Sequence, residues 1–441
     1  MMFKNLPGFR DFYPEDCAIR NAIFDNWRAV ACRYAFAEYD APILEPLDLL
    51  TAKSGDEIVA QLFSFEDKGG RALTLRPELT PSLARMVGAR AGGLKRPIKW
   101  FSIGENFRYE RPQKGRLRSF YQMNADILGE SGTSADAEVI GLLVDTLGAF
   151  GLGEAEFCVR LSDRDLWLLL LEGRQIVGEQ ALAVLNILDK FERESPDKIR
   201  VKLEGLALSD AAQLMETMAN MKALDSFAAI QSFLQQQAFA SQVQEKIEQR
   251  LQTFKALLDR LAMMGIAPFI RLDLSIVRGL AYYTGFVFEA FQLVGKGRAL
   301  AGGGRYDHLV KKLGGPDLPA VGFGIGDVTL RDLLETQNKL PTISPALDVF
   351  VVAAEGPEQA MALRDVCTLR RAGLRVDYAM KGGNFGKQFK TADQSGARYA
   401  LVYGREEVEQ GRVKLKDLQK REETTILLSD LVATLAKTMG R

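Results

Sequence analysis

Apolar residues recur every three or four positions from Glu15 to Tyr34, at Ile19, Ile23, Trp27 and Val30, and this spacing predicts one long amphipathic helix. It gives way to Tyr39-Asp40-Ala41-Pro42-Ile43-Leu44-Glu45-Pro46, whose two prolines break a helix and suit an edge strand. Between Phe63 and Leu75 a strand–turn–strand pattern surrounds Lys68-Gly69-Gly70. Arg76-Pro77-Glu78-Leu79-Thr80-Pro81 reads as a loop opening a helix, with Pro81 in its first turn. A hairpin follows within 98–128, and then an amphipathic helix over 134–151 that ends at Gly151.

From about 165 to 262 glycine and proline become rare, and Val243, Ile247, Leu251, Phe254, Leu258 and Leu261 mark a helix face. β character returns over 268–330, with strands around Ile270–Leu274, Tyr282–Phe291 and Ala299–Gly303. The polar stretch from Thr336 to Pro345 reads as a linker. Beyond it, strands at Leu347–Ala353, Arg375–Met380 and Tyr399–Tyr403 alternate with helices at Glu358–Arg371 and Asn384–Ser395. That alternation predicts a compact α/β domain with a largely parallel sheet. The expected division is one domain in two parts, 1–164 and 265–335, interrupted by a helical insertion over 165–264. A linker at 336–346 and a second domain at 347–441 complete it.

Hydrophobic content of 47% with 26% charge describes an ordinary globular protein. Lysine plus arginine and aspartate plus glutamate both number 57, which excludes a strongly basic, indiscriminate nucleic-acid binder. RNA contact would fall to local patches such as Lys114 to Arg118 or Lys381 to Lys390. No run approaches the roughly 18 apolar residues of a membrane span, and no signal-peptide pattern opens the chain. A cytoplasmic location is therefore expected. Cys17, Cys32, Cys158 and Cys367 are dispersed and read as isolated core thiols. The single histidine, His308, excludes a His-rich zinc site and is expected to face solvent or cap a helix start. Chemistry would then rest on arginines, carboxylates and an added metal ion.

Four segments could supply it. Phe107-Arg108-Tyr109-Glu110-Arg111-Pro112-Gln113, continuing through Arg116, Arg118, Phe120 and Gln122, would present guanidinium groups, an aromatic face and an amide along one side of a hairpin. Arginine forks suit phosphate oxygens and Phe120 suits a base; a plain charged hairpin is the competing reading. Val277-Arg278-Gly279-Leu280-Ala281-Tyr282-Tyr283-Thr284-Gly285 sets a guanidinium before two tyrosines. Ala301-Gly302-Gly303-Gly304-Arg305-Tyr306-Asp307 lets backbone approach a ligand closely but lacks the Gly-Lys-Ser/Thr of a Walker loop. Gly322-Phe323-Gly324-Ile325-Gly326 repeats the glycine spacing.

Together these segments closely resemble the histidine–tRNA ligases, a family of class II aminoacyl-tRNA synthetases, over essentially the whole chain. Pro42 matches the first class II motif, a dimer-interface element, and Phe107-Arg108-Tyr109-Glu110 the second. The Arg278 and Gly303-Gly304-Arg305-Tyr306-Asp307 segments look like the two histidine-specific motifs, and residues 347–441 resemble the anticodon-binding domain. The resemblance implies an α+β fold: a catalytic domain on an antiparallel sheet, a helical insertion and a C-terminal α/β anticodon-binding domain. It implies ATP and Mg²⁺, histidine, tRNA(His), a homodimer and a histidyl-adenylate intermediate. Arg108 would hold the α-phosphate, with Glu110 near the ATP and Phe120 stacked on adenine. Glu78 would take the substrate ammonium with help from Gln122, and Asp126 would face the imidazole. Tyr283 and Tyr306 would complete that pocket, and Arg278 would stabilise charge at the α-phosphate.

Two positions depart from the family pattern. The third class II motif normally ends in Glu-Arg, whose arginine pairs with the γ-phosphate of a bent ATP, but Thr329 stands at that place. Arg331 lies two residues on, where a helix points it elsewhere. Ala281 replaces a more usual aspartate. The rival reading on the same fold is a catalytically silent, histidine-sensing regulatory subunit of ATP phosphoribosyltransferase, which usually lacks the anticodon domain.

Overall fold

The computed structural model describes residues 3–51, 59–191, 194–206, 208, 211–277, 282–295, 298–343 and 347–439. It forms two compact units, Met1–Pro341 and Thr342–Arg441.

The strands of the first unit are β1 (Ala37–Glu38), β2 (Leu44–Pro46), β3 (Phe63–Glu66), β4 (Ala72–Leu75), β5 (Ile98–Phe107) and β6 (Ser119–Leu128). They continue with β7 (Phe157–Asp163), β8 (Ile270–Leu272), β9 (Thr284–Gln292), β10 (Ala299–Arg305) and β11 (Ala320–Gly326). Eight of them make a sheet in the order β1-β5-β6-β11-β10-β9-β7-β8, antiparallel except for its two outermost pairs. The prolines do what their chemistry dictates: Pro46 sits in β2, an edge strand of the small sheet β2-β4-β3.

Side-chain alternation divides the large sheet into a structural face and a chemical one. From β6, Met123, Ala125 and Ile127 join Ile23, Trp27 and Val30 of the helix Pro14–Arg33 and the buried face of the helix Thr133–Gly148 in one core. Gln122, Asn124 and Asp126 fall on the other face of the same strand.

Among the described residues six helices cover much of 164–263, from Arg164–Gly173 to the 23-residue helix Ser241–Met263. The last buries Val243, Ile247, Leu251, Phe254, Leu257 and Leu261, whereas Leu258 is only partly covered. Its Arg250 forks onto the fully buried Asp163 carboxylate at 2.7 and 3.0 Å, tying the helix to the end of β7.

In the second unit β12 (Val349–Ala353), β13 (Val376–Tyr378) and β14 (Tyr399–Tyr403) are parallel. The sheet is mixed rather than largely parallel, because β15 (Arg412–Asp417) and β16 (Glu423–Leu427) extend it as an antiparallel hairpin. The cysteine expectation is also corrected. Only Cys158 is buried; Cys32 and Cys367 are exposed, since both lie on outward faces of helices whose other faces pack. His308 stands at the N-cap of the short helix Leu309–Lys312 with an exposed side chain, as expected.

Candidate active site

Strand β6 is flanked by β5 and β11, and its register with β11 sets the floor of the site. Gln122 pairs with Gly326, Asn124 with Gly324 and Asp126 with Gly322. A Cβ at Gly322 would come within 1.8 Å of Asp126 Oδ1, and one at Gly324 within 2.4 Å of Gln122 Nε2. The glycine spacing in β11 therefore leaves a bare backbone floor over which the β6 side chains lie.

Above that floor is a small inner cavity lined by Glu78, Asn124, Asp126, Tyr282, Tyr283 and Tyr306, among others. Tyr306 donates its hydroxyl proton to Asp126 Oδ1 at 2.6 Å, and Tyr282 donates to Glu78 Oε2 at 2.6 Å. The three tyrosine rings pack in series, with centroids 5.1 and 6.1 Å apart. Asp126 is buried, and its Oδ2 has no hydrogen-bond partner among the described residues. Burial, opposed by the Tyr306 hydrogen bond and reinforced by the Glu78 charge, pushes its carboxyl up to about 7. Burial likewise raises the phenols of Tyr282 and Tyr306 well above their ordinary value, so both stay protonated donors.

A larger cavity of about 470 Å³ opens beside it and shares Arg108, Gln122, Gly302 and Gly324 with its lining. That is room for a ligand of nucleotide size. The loop between β5 and β6 forms one wall: Arg108 Nε donates to the Pro77 carbonyl at 3.2 Å, and its guanidinium lies 5.1 Å over the Phe120 ring. Glu110 accepts from Arg116 at 3.4 Å. The amide of Gln122 accepts from Asn106 at 3.3 Å. The chain start clasps the same loop, since Arg118 and Ser119 donate their amides to the Gly8 carbonyl. Arg10 reaches Asp327 at 2.8 Å, and Asp327 also accepts from the Tyr121 amide.

The fold thus brings Glu78, Arg108, Glu110, Phe120, Gln122, Asp126, Tyr283 and Tyr306 to two adjoining cavities. Arg278 and Ala281 lie outside the described residues. Within Gly303-Gly304-Arg305-Tyr306-Asp307 only the tyrosine faces the inner cavity. Arg305 is buried in a bidentate pair with Asp136, at 3.0 and 2.6 Å, and Asp307 accepts from Arg305 and the Ala320 amide. Arg76 is also scaffolding, donating to the carbonyls of Glu105 and Ala41. Thr80, Asn124 and Tyr282 also line the inner cavity, beyond the residues to which the family resemblance gives a role. Asn124 does carry a signal, midway between Gln122 and Asp126 at strand spacing.

A family model described as histidyl-tRNA synthetase matches residues 8–329, and one described as an anticodon binding domain matches 348–438. The chain is 53% identical over 424 residues to the histidine–tRNA ligase of Opitutus terrae, covering 96% of each. It is 38% identical to that of Halobacterium salinarum, again over 96% of each chain. A solved histidyl-tRNA synthetase from Nostoc sp. PCC 7120 shares the fold with a TM-score of 0.79 at 24% identity, covering 99% of this chain and 100% of that one.

Proposed function

The chain belongs to the histidyl-tRNA synthetase family, and from that premise we propose how its residues divide the work of joining histidine to tRNA. It is an aminoacyl-tRNA synthetase with ATP as a substrate, and it charges tRNA with histidine. One observation carries the assignment of residues: a small cavity holding two buried carboxylates opens onto the Arg108 end of a nucleotide-sized cavity.

Glu78 takes the ammonium group of histidine, with Gln122 beside it, and the Asp126 Oδ2 that lacks a partner among the described residues accepts an imidazole N–H. Tyr306 and Tyr283 enclose the ring. Arg108 holds the α-phosphate, Phe120 supports adenine and Glu110 stands near the triphosphate. Arg278 takes the developing charge by family correspondence alone. Mg²⁺ arrives with ATP; such ions bind through one or two carboxylates plus substrate phosphates, a requirement Glu110 fits.

A carboxylate oxygen of histidine attacks the α-phosphorus, its bond to the bridging oxygen breaks, and pyrophosphate leaves with that electron pair. No proton must move, so positioning and fixed charge supply the acceleration, and no histidine side chain is required of the protein.

The regulatory-subunit reading has less support, because the second unit matches the anticodon-domain model and the ligase relatives align over 96% of the chain. Exposed Lys381, Lys387 and Lys390 at the helix Phe385–Gln394 are the proposed tRNA contacts of that unit. We also read the protein as a cytoplasmic homodimer. Among the described residues no helix is long and apolar enough to cross a membrane. Exposed Ile43, Leu44 and Phe65 at the small sheet offer apolar surface for a second copy.

The test is histidine-dependent ATP–pyrophosphate exchange with Mg²⁺ and without tRNA. Exchange specific to histidine is expected; histidine binding without exchange would leave a sensor. The state of Asp126 adds a pH signature. Its folded pKa is raised, so its contribution to stability is complete below the unfolded carboxyl value and is lost as pH climbs through about 7. Asp126→Asn should therefore raise the melting temperature more at pH 8 than at pH 5. Calorimetry should show wild-type histidine affinity increasing across that same pH 7 region as the carboxylate ionises. In the variant that increase should shrink to whatever the free imidazole contributes.

A further inference from the structure

We propose that Arg298 supplies the contact to the ATP γ-phosphate that the third motif, with Thr329, lacks; this rests on the adenylate-forming reading above. The register of β10 with β11 brings the two together. Ala301 pairs with Ile325, so Arg298, just before β10, and the first turn of the helix Asp327–Thr336, just after β11, leave the sheet at the same end. Arg298, Val328 and Thr329 all line the larger cavity. The backbone there is fixed, because the Arg298 carbonyl accepts from the Gln292 amide at 3.0 Å.

The side chain crosses to the loop between β5 and β6. A Cβ at Gly115 would come within 2.1 Å of Arg298 Nη1 and 3.5 Å of Thr329 Cγ2, so Gly115, Arg298 and Thr329 meet at one point. Gly115 has φ +79°, and its missing side chain is what leaves the guanidinium room. Arg298 Nη1 is buried with no hydrogen-bond partner among the described residues; its nearest carboxylate there, Asp332 Oδ2, is 3.8 Å away. A buried guanidinium donor without an acceptor is costly in a folded protein unless a ligand completes it.

The other cations do not fit the role as well. Arg331 is committed to Asp16 at 2.9 Å and Glu335 at 2.8 Å and is absent from the cavity lining. Arg116 is paired with Glu110, and the Lys114 side chain is 70% exposed. The direction of ATP follows from the cavities. The α-phosphate must lie at the Arg108 end, where the amino acid is, and with Phe120 taken by adenine the far phosphates turn to the part of the lining that Arg298, Val328 and Thr329 form. A planar, permanently charged fork with a free donor suits a terminal phosphate there.

The experiment compares wild-type protein with Arg298→Ala and Arg298→Lys. In pyrophosphate exchange, Arg298→Ala should raise the KM for ATP ten- to a hundredfold, with Arg298→Lys intermediate. In calorimetry it should weaken ATP by a similar factor while leaving AMP and histidine within about twofold of wild type. An unchanged ATP affinity would overturn the proposal, and so would an equal loss for ATP and AMP, which would place the guanidinium on the base. Absence of exchange in the wild type, with ATP binding still sensitive to Arg298, would instead defeat the ligase reading alone.

Discussion

Gly322→Ala should lose histidine activation almost completely, by a factor of about a hundred or more in kcat/KM, although only one methyl group is added. The new Cβ would stand 1.8 Å from Asp126 Oδ1 and 2.8 Å from the Ala125 carbonyl. One neighbour is a buried carboxylate already engaged by Tyr306, and the other is backbone in the paired strand. Neither can yield cheaply, so Asp126 must turn and release the Tyr306 hydroxyl. Two buried polar groups then lose partners, at about 1–3 kcal/mol each. Calorimetry should show histidine binding lost, while AMP, held in the larger cavity, still binds. If Gly322→Ala bound histidine normally, the inner cavity would not be the amino-acid site.

Arg108→Ala should be nearly as damaging but through a different quantity. Among the described residues its guanidinium makes one hydrogen bond, to the Pro77 carbonyl, and it is half-buried, so folding should be little affected. Exchange should fall by about 10²–10³, some 3–4 kcal/mol, the cost of deleting one preorganised donor at a developing charge. The loss should appear in kcat as well as kcat/KM, because the charge on the α-phosphate oxygens is redistributed only in the transition state. A rise in KM for ATP with kcat unchanged would move Arg108 from the reacting phosphorus to plain nucleotide binding.

Much of this site is legible in the amino-acid order, for reasons that differ from residue to residue. Gln122 and Asp126 sit four apart on one strand face, a relation fixed by the pleat. Glu78 lies in a loop whose start is marked by Arg76 and Pro77. Asn124, between the other two on β6, carries the same positional signal but no charge to set it apart. Tyr282 and Tyr283 both face the cavity because they precede β9 rather than belong to it, so strand alternation does not separate them. The hairpin β15–β16 is hard to see in sequence because Arg412–Asp417 buries only Val413 and Leu415 among four charged residues. The role proposed for Arg298 cannot be read from its neighbours in the chain, since its relation to Thr329 exists only once β10 and β11 are paired.

The bare floor of β11 has a bearing on accuracy. A pocket whose back wall is main chain cannot sort amino acids finely by bulk, and methylene-sized differences are worth only about 1–3 kcal/mol in any case. On the proposed assignment, selection falls instead to the Asp126 oxygen and the tyrosine hydroxyls, which an apolar or wrongly hydrogen-bonding side chain would leave stranded in a buried cavity. Sites of that kind reject analogues lacking the matching group by factors of about 10⁴–10⁵. At that level misacylation would be suppressed in the first step, and a separate hydrolytic proofreading centre would have little left to correct.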